Sequence, residues 1–329
     1  MFKQVVYVEK QIVGHPTTQS VLDKIHPSEI LVINDYKEVL NQTNSHWGFN
    51  KAYQKIILAK RKSEFYYKGA ALTSNVGHRH FYYNTLALNC LYHCEYCYLQ
   101  GMYNTPHLVM FLNNKDFINA AKRLIRQLKS NIYLALSYDT DLPALEKYYP
   151  YCREWMDFAA IEKNITIEIR TKSNQLNFIQ ETEASENVIL SFTLSPEQIQ
   201  KKYEPFTPSL EQRLKAVKTS MDKGFRVMLC FDPLLFIPQY QSVYADFFEN
   251  IFSIITPSTR ISASVGTFRM NNDFLKRIRK NGNTSDIYLY SYEVKNKIAT
   301  YPQHIRQEMI TFVKSELEKR NIRNIYLYE

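Results

Sequence analysis

The residues best suited to chemistry lie in one short stretch, LNCLYHCEYCYLQG, where Cys90, Cys94 and Cys97 follow a C-x3-C-x2-C spacing. Thiolates this close in sequence can wrap one metal centre, and cysteine thiolates are the usual ligands of iron–sulfur clusters. Three ligands to a four-iron cube leave one iron open to another molecule. The spacing therefore points to a redox-active [4Fe–4S] cluster, with Tyr92, Tyr96 and Tyr98 placed to shield it from water. The competing assignment is a zinc site that takes His93 or a distant histidine as its fourth ligand. A zinc knuckle usually carries a second ligand pair further along, and no such pair follows here. Cys152 and Cys230 bring the total to five, an odd number that suits a reducing compartment with a metal centre better than a disulfide framework.

The elements that must position these residues begin near Asp116, where helix-like stretches alternate with short strand-like runs, as in βα units that build a parallel sheet. The strands are expected at Ile132–Ser137, Ile165–Thr171, Val188–Ser195, Arg226–Phe231 and Arg260–Val265. Amphipathic helices are expected at Asn114–Lys129, Ala144–Lys163, Ser209–Lys223 and Val243–Ile255. A period of two places Thr166, Glu168, Arg170 and Lys172 on one face of their strand and Ile165, Ile167 and Ile169 on the other. Ser191, Thr193 and Ser195 alternate with Leu190, Phe192 and Leu194 in the same way. Strands buried in an ordinary doubly wound sheet read as almost wholly apolar, so these polar rows argue for a partial (β/α) barrel with a polar lumen.

Before Cys90 the chain reads as an α/β extension, with a strand at Leu31–Asn34 and a basic helix at Lys51–Lys62. After Arg279 come a turn at Asn281–Gly282, the tyrosine-rich DIYLYSYEVKNKIATY and a helix at Gln303–Arg320, a tail expected to cover one barrel end. The resulting division is an extension over 1–80, a barrel domain over 81–279 and a hairpin-and-helix cap over 280–329.

The hydrophobic fraction of 45%, with 25 Tyr and 19 Phe, provides for a large core and excludes disorder. A net charge of +9 favours a polyanionic partner such as nucleic acid, although a generally basic cytosolic protein explains the charge equally well. Charges at Lys3, Glu9 and Lys10 interrupt the N-terminal apolar stretch, so no signal peptide is apparent. No run approaches the roughly 20 apolar residues of a membrane span, and a cytoplasmic monomer without a membrane partner is expected.

C-x3-C-x2-C with an aromatic residue before its last cysteine resembles the signature of the radical S-adenosylmethionine (AdoMet) superfamily. HCEYCYLQ is similar, more narrowly, to the spore photoproduct lyase family. The likeness continues through Asp139–Asp141, Arg170–Asn174, Lys201–Ala216 and Lys223–Leu234. It implies a partial barrel of the radical SAM type, in which the open iron on Cys90, Cys94 and Cys97 binds AdoMet and its cleavage yields a 5′-deoxyadenosyl radical. A reductant such as flavodoxin or ferredoxin is implied as well. By position, Lys172 and Thr193 match residues placed near the cofactor, and Ser195 shares a face with Thr193. A lumen salt bridge to Glu168 is the other role open to Lys172. Tyr96 and Tyr98 match tyrosines that relay a hydrogen atom, and they also shield the cluster.

The family reverses a thymine photoproduct in DNA and returns a hydrogen atom from a cysteine that precedes a serine by two residues and an aspartate by three. Here those positions hold Tyr138, Thr140 and Asp141, so the thiol is replaced by a phenol. Cys152 lies in a helix-like stretch and suits surface or helix packing. Cys230 shares a strand face with Asp232 near the end where barrel sites form, as either a hydrogen donor or a small core residue. The family's DNA-opening hairpin carries an adjacent arginine and tyrosine. The comparable stretch here has Tyr290, Tyr292, Lys295 and Lys297 but no arginine, and suits a stacked base with a phosphate or an edge strand over a helix. The expected function is photoproduct reversal. The alternatives are a radical enzyme acting on another nucleic-acid lesion or modified nucleoside, and a non-enzymatic Fe–S or zinc protein that binds nucleic acid.

Overall fold

The computed structural model describes residues 5–42, 54–69, 76–175 and 177–328. Its largest sheet contains Tyr67–Lys68 (β1), Phe81–Tyr83 (β2), Ile132–Leu136 (β3), Ile165–Thr171 (β4), Val188–Thr193 (β5), Arg226–Leu234 (β6), Ile261–Thr267 (β7) and Ile325–Tyr328 (β8). The strands lie side by side in chain order and the sheet curls into a half-barrel. β2 to β8 run parallel, and β1 closes the edge antiparallel to β2. Parallel neighbours need crossovers, and helices at Asn114–Leu128, Tyr151–Ile161, Asn177–Gln180, Leu210–Asp222, Tyr240–Ile254 and Gln303–Lys319 lie in them.

The alternation read from the sequence sorts the two faces. Ile165, Ile167, Ile169, Leu190 and Phe192 belong to the main core under the helices. Tyr133, Ala135, Ile189, Met228 and Cys230 form a separate lumen cluster, interleaved with buried Glu168, Ser191, Thr193 and Ser264. The buried charge of this face is satisfied from within, since Glu168 accepts from the Tyr133 hydroxyl and from Arg170.

A second sheet orders Glu29–Ile33, Val5–Glu9, Ile56–Ala59, Leu108–Phe111 and Ala87–Leu88, drawing strands from both sides of position 80. The basic helix expected at Lys51–Lys62 is absent from the described part of that range. Residues 51–53 lie outside the described residues, and Ile56–Ala59 is a central strand paired with Val6–Val8 and Leu108–Phe111. Four consecutive buried apolar residues suit a strand covered on both faces, and this outweighs the flanking lysines. The helix expected over Ala144–Lys163 starts later, at Tyr151, after a 3-10 turn at Pro143–Leu145. Pro150 has no N–H to donate and marks the break.

The tyrosine-rich tail is only partly a hairpin. Asp286–Leu289 forms one helical turn, and Glu293–Lys295 and Ile298–Thr300 pair around Asn296 and Lys297, both at positive φ, in a three-stranded sheet with Arg269–Asn271.

Candidate active site

The cysteine loop leaves Ala87–Leu88 and is tied by side-chain amides rather than by regular structure. Asn89 Nδ2 donates to the carbonyls of Thr105 (2.9 Å) and His107 (2.8 Å), which closes the neck of the loop. Gln54 Nε2 donates to Cys90 O at 3.1 Å and Pro106 O at 2.7 Å, and Gln100 Nε2 to Cys94 O at 2.9 Å and Glu95 O at 3.1 Å. The Tyr92 N–H points at Cys90 Sγ, 3.4 Å away. Behind the loop, a side chain at Gly101 would fall 2.6 Å from the carbonyl oxygen of Phe274, so only glycine lets the helix Asn272–Lys280 approach this closely.

The three thiols share one environment. Burial pushes each up to about 12, and the neighbouring groups Asp141 and Cys97 at Cys90, Glu204 and Cys90 at Cys94, and Cys94 and Asp139 at Cys97 push in the same direction. Cys94 is buried and Cys90 and Cys97 are half-buried, and a site that penalises neighbouring thiolates suits a cationic metal centre, which deprotonates its cysteine ligands and offsets their charge. Among the described residues no three His, Cys, Asp or Glu side chains converge as a single metal ion requires. Ligands on different corners of a four-iron cube stand further apart than ligands around one ion.

One buried carboxylate organises the wall beside the loop. Glu204, fully buried, accepts from the hydroxyls of Tyr96 and Ser195 (2.8 Å) and pairs with the buried guanidinium of Arg213. Burial alone would raise this carboxyl, but Arg213 and Lys172, together with the Tyr96 hydroxyl, hold it down to about 2. Arg213 also donates to Thr193 O (3.1 Å) and Pro208 O (3.0 Å), so it ties the end of β5 to the following helices. The Ser195 hydroxyl is thereby committed to Glu204, while Lys172 Nζ stands 5.4 Å from the Tyr96 ring centroid, where the charges of Cys94 and Glu204 act on it.

Asp141 caps the end of β4. It accepts from the Thr171 hydroxyl (2.7 Å), the Lys172 amide (2.6 Å) and the Ala144 amide (3.3 Å). Tyr98 donates to Tyr138 O at 3.0 Å and to Asp139 Oδ1 at 3.1 Å. Burial lifts Asp139 to about 6 against the hydrogen bonds from Tyr98 and Tyr103. Thr140 Oγ1 is buried without a hydrogen-bond partner among the described residues. Cys90, Cys94, Cys97, Tyr96, Tyr98, Asp141, Lys172, Thr193 and Ser195 thus gather at the C-terminal ends of the parallel strands, where barrel enzymes carry their sites.

Deeper in the lumen runs an ionic row. Tyr133 donates to Glu168 (2.8 Å), Arg170 binds Glu168 (2.9 Å) and reaches Asp232 (3.8 Å), and Arg269 grips Asp232 through two bonds of 2.9 and 3.0 Å. Glu168 is therefore the partner of Arg170, not of Lys172. The ring of Tyr138 packs on the lumen cluster against Phe81 and Tyr83. Cys230 is fully buried in that cluster beside Arg170, and its thiol is raised by burial. Cys152 is likewise buried, with its amide held by Glu146 at 2.8 Å, and has a packing role.

The tail residues do not join the cysteines. Tyr290 and Tyr292 pack on each other (5.0 Å) and on Tyr301, and Tyr292 stacks on Phe268 at 4.9 Å. Lys295 and Lys297 are exposed at the hairpin tip. It is Tyr288 that reaches the site, through a hydrogen bond from its hydroxyl to Glu95 O. Glu204, Arg213 and Asp139 received no role from the sequence, although they lie in the segments Lys201–Ala216 and Asp139–Asp141 that carried the resemblance.

A family model described as spore photoproduct lyase matches residues 1–325. The chain is 18% identical over 263 residues to the spore photoproduct lyase of Bacillus subtilis, covering 78% of this chain and 75% of the relative. It is 24% identical over 247 residues to an uncharacterised protein of Methanocaldococcus jannaschii, covering 71% and 87%. A solved spore photoproduct lyase variant with bound AdoMet and dinucleoside spore photoproduct superposes with a TM-score of 0.82 at 14% identity, covering 100% of this chain and 99% of that one. Another variant, with the dinucleoside alone, reaches 0.84 at 14% identity over the same shares. No described helix is long and apolar enough to cross a membrane. With a curled half-barrel, a three-cysteine loop at its mouth and a family match along nearly its whole length, the chain belongs to the spore photoproduct lyase family of radical AdoMet enzymes.

Proposed function

We propose that this chain holds a [4Fe–4S] cluster on Cys90, Cys94 and Cys97, binds AdoMet beside it, and reverses a thymine photoproduct in DNA. The observation that carries the reading is the meeting of the cysteine loop with Lys172, Asp141 and Glu204 at one mouth of a polar lumen. When bound, the cluster supplies the electron that splits AdoMet into methionine and a 5′-deoxyadenosyl radical.

The protein's own residues do the rest by position. Lys172, a cation held beside Cys94 and Glu204, suits a carboxylate or the negative charge of the cluster and its ligands. Glu204 orients Tyr96 and Ser195, and Thr193 lies at the same strand end. Tyr98 and Asp139 brace the loop that presents Tyr138, Thr140 and Asp141 to the substrate. The basic surface and the exposed Lys295 and Lys297 suit DNA phosphates, and Tyr290 and Tyr292 support the hairpin that carries those lysines. A low-potential electron donor such as flavodoxin or ferredoxin completes the cycle, and the protein acts as a monomer.

Anaerobic reconstitution with iron and sulfide, followed by assay of 5′-deoxyadenosine with and without dinucleoside spore photoproduct, tests this reading. Cofactor cleavage stimulated by the lesion, with release of two thymine units, is the expected result. Intact cleavage with no repair removes the thymine lesion as substrate. Zinc in place of iron removes the radical reading altogether.

A second reading keeps the radical and changes the substrate to another nucleic-acid lesion or a modified nucleoside. Tyr138 favours it, because it stands where the family places its hydrogen-donating thiol, and Cys230 is buried deeper in the lumen. Lesion-independent DNA binding combined with cofactor cleavage stimulated by a different modified base would select it.

A further inference from the structure

Tyr138 stands at the inner end of a run of phenols that leads out of the lumen. Its ring centroid is 5.5 Å from that of Tyr83, and Tyr83 stacks on Tyr67 at 5.2 Å with 26° between the planes. Tyr67 and Tyr83 are direct cross-strand partners of β1 and β2, at the edge of the sheet. Both are half-buried, and the Tyr67 hydroxyl meets the guanidinium of Arg61. Ring packing accounts for such contacts whether or not the rings carry hydroxyls. Yet every member of this run is a tyrosine, whereas Tyr138's other ring neighbour is Phe81, at 6.4 Å, which has no O–H. Burial raises the pKa of all three phenols, so each keeps its proton at neutral pH.

We propose that Tyr138, Tyr83 and Tyr67 form a relay that delivers a hydrogen atom to a carbon radical in the lumen and carries the oxidising equivalent to the protein surface. The proposal rests on the radical reading of the site and adds the step that quenches the product. The carbon radical takes hydrogen from Tyr138, forming a C–H bond as the phenolic O–H breaks. The Tyr138 phenoxyl recovers one electron and one proton from Tyr83, and Tyr83 recovers the same from Tyr67. The Tyr67 phenoxyl takes a hydrogen atom from a thiol in solution, and two resulting thiyl radicals combine to a disulfide.

The test needs neither AdoMet nor lesion, so its failure is separate from failure of the proposed function. With 3,5-difluorotyrosine at position 138, a radical there is marked by fluorine hyperfine splitting in its electron paramagnetic resonance spectrum. Flash-quench photo-oxidation of the full chain is expected to give the fluorine-split signal. Tyr83→Phe, which keeps the ring and removes the hydroxyl, is expected to abolish it. Tyr82→Phe, on the opposite face of the same strand, is expected to leave it intact. In the reconstituted holoenzyme, Tyr83→Phe should prolong the Tyr138 phenoxyl signal and remove its quenching by added thiol. A fluorine-split signal that survives Tyr83→Phe, or that is missing from the parent protein, overturns the relay.

Discussion

The rim that carries the cysteines and the wall that carries Tyr138 face the same lumen but are built by opposite means. The rim is polar and heavily cross-linked. Asn89, Gln54 and Gln100 pin the backbone of the loop, and Glu204 collects Tyr96, Ser195 and Arg213. The wall is aromatic: Phe81, Tyr83 and Tyr138 touch through their rings. Side-chain hydrogen bonds fix atoms in place but fail sharply when one partner is lost, whereas ring contacts tolerate change. The difference suits the tasks proposed for each side, a rim that must hold several thiolates in register and a wall that must offer a hydroxyl to a substrate.

The contrast sets an order of expected effects. Cys94→Ala should abolish iron retention and 5′-deoxyadenosine formation while leaving the far-ultraviolet circular dichroism unchanged, since the loop backbone is held by amides rather than by the thiol. Retained iron and cleavage would remove Cys94 from the ligand set. Glu204→Ala leaves Arg213 buried without its partner, and a broken buried pair costs about 3–5 kcal/mol. Denaturant titration should therefore show a large loss, and a loss below about 1 kcal/mol would break the picture of a cross-linked rim.

Acid provides a third probe, at the neck of the loop. Burial, then the Lys55 charge, lowers His107 to about 4, so the folded protein keeps it neutral while the unfolded chain, near 6.5, protonates it. The unfolded state binds more protons between these values, so stability is expected to fall as pH drops from about 6.5 to 4, by at most about 3 kcal/mol from this group. His107→Gln should flatten that part of the pH profile of the melting temperature. The smallest effect is expected on the aromatic wall. Tyr138→Phe keeps the ring contacts and should cost no more than about 1 kcal/mol of stability. Product formation per 5′-deoxyadenosine should nevertheless fall by about tenfold, equivalent to ~1.4 kcal/mol. A fold loss comparable to that of Glu204→Ala would erase the distinction between rim and wall.

Much of the barrel was legible because strands with period-two alternation announce both their class and their faces. Ile165–Thr171 has the bounds the sequence suggests, and its polar row does line the lumen. Local composition misled where burial on both sides turned a basic stretch into the strand Ile56–Ala59, and where Pro150 interrupted a helical pattern. Pairing partners were the least legible feature. Lys172 and Arg170 differ by two positions on one face, yet Arg170 takes Glu168 and Lys172 lies over the Tyr96 ring.

Two levels of determination can be separated in this protein. The C-x3-C-x2-C spacing, the alternating polar strands and a phenol at position 138 are properties of the linear chain, because they depend on residue type and local period alone. The role of Glu204 as the hub of the rim, the packing of Tyr290 and Tyr292 on Tyr301, and the run from Tyr138 through Tyr83 to Tyr67 were decided only in three dimensions. Tyr96 and Glu204, like Tyr83 and Tyr138, are far apart in sequence, and strand order and sheet curl, rather than any local pattern, bring them together.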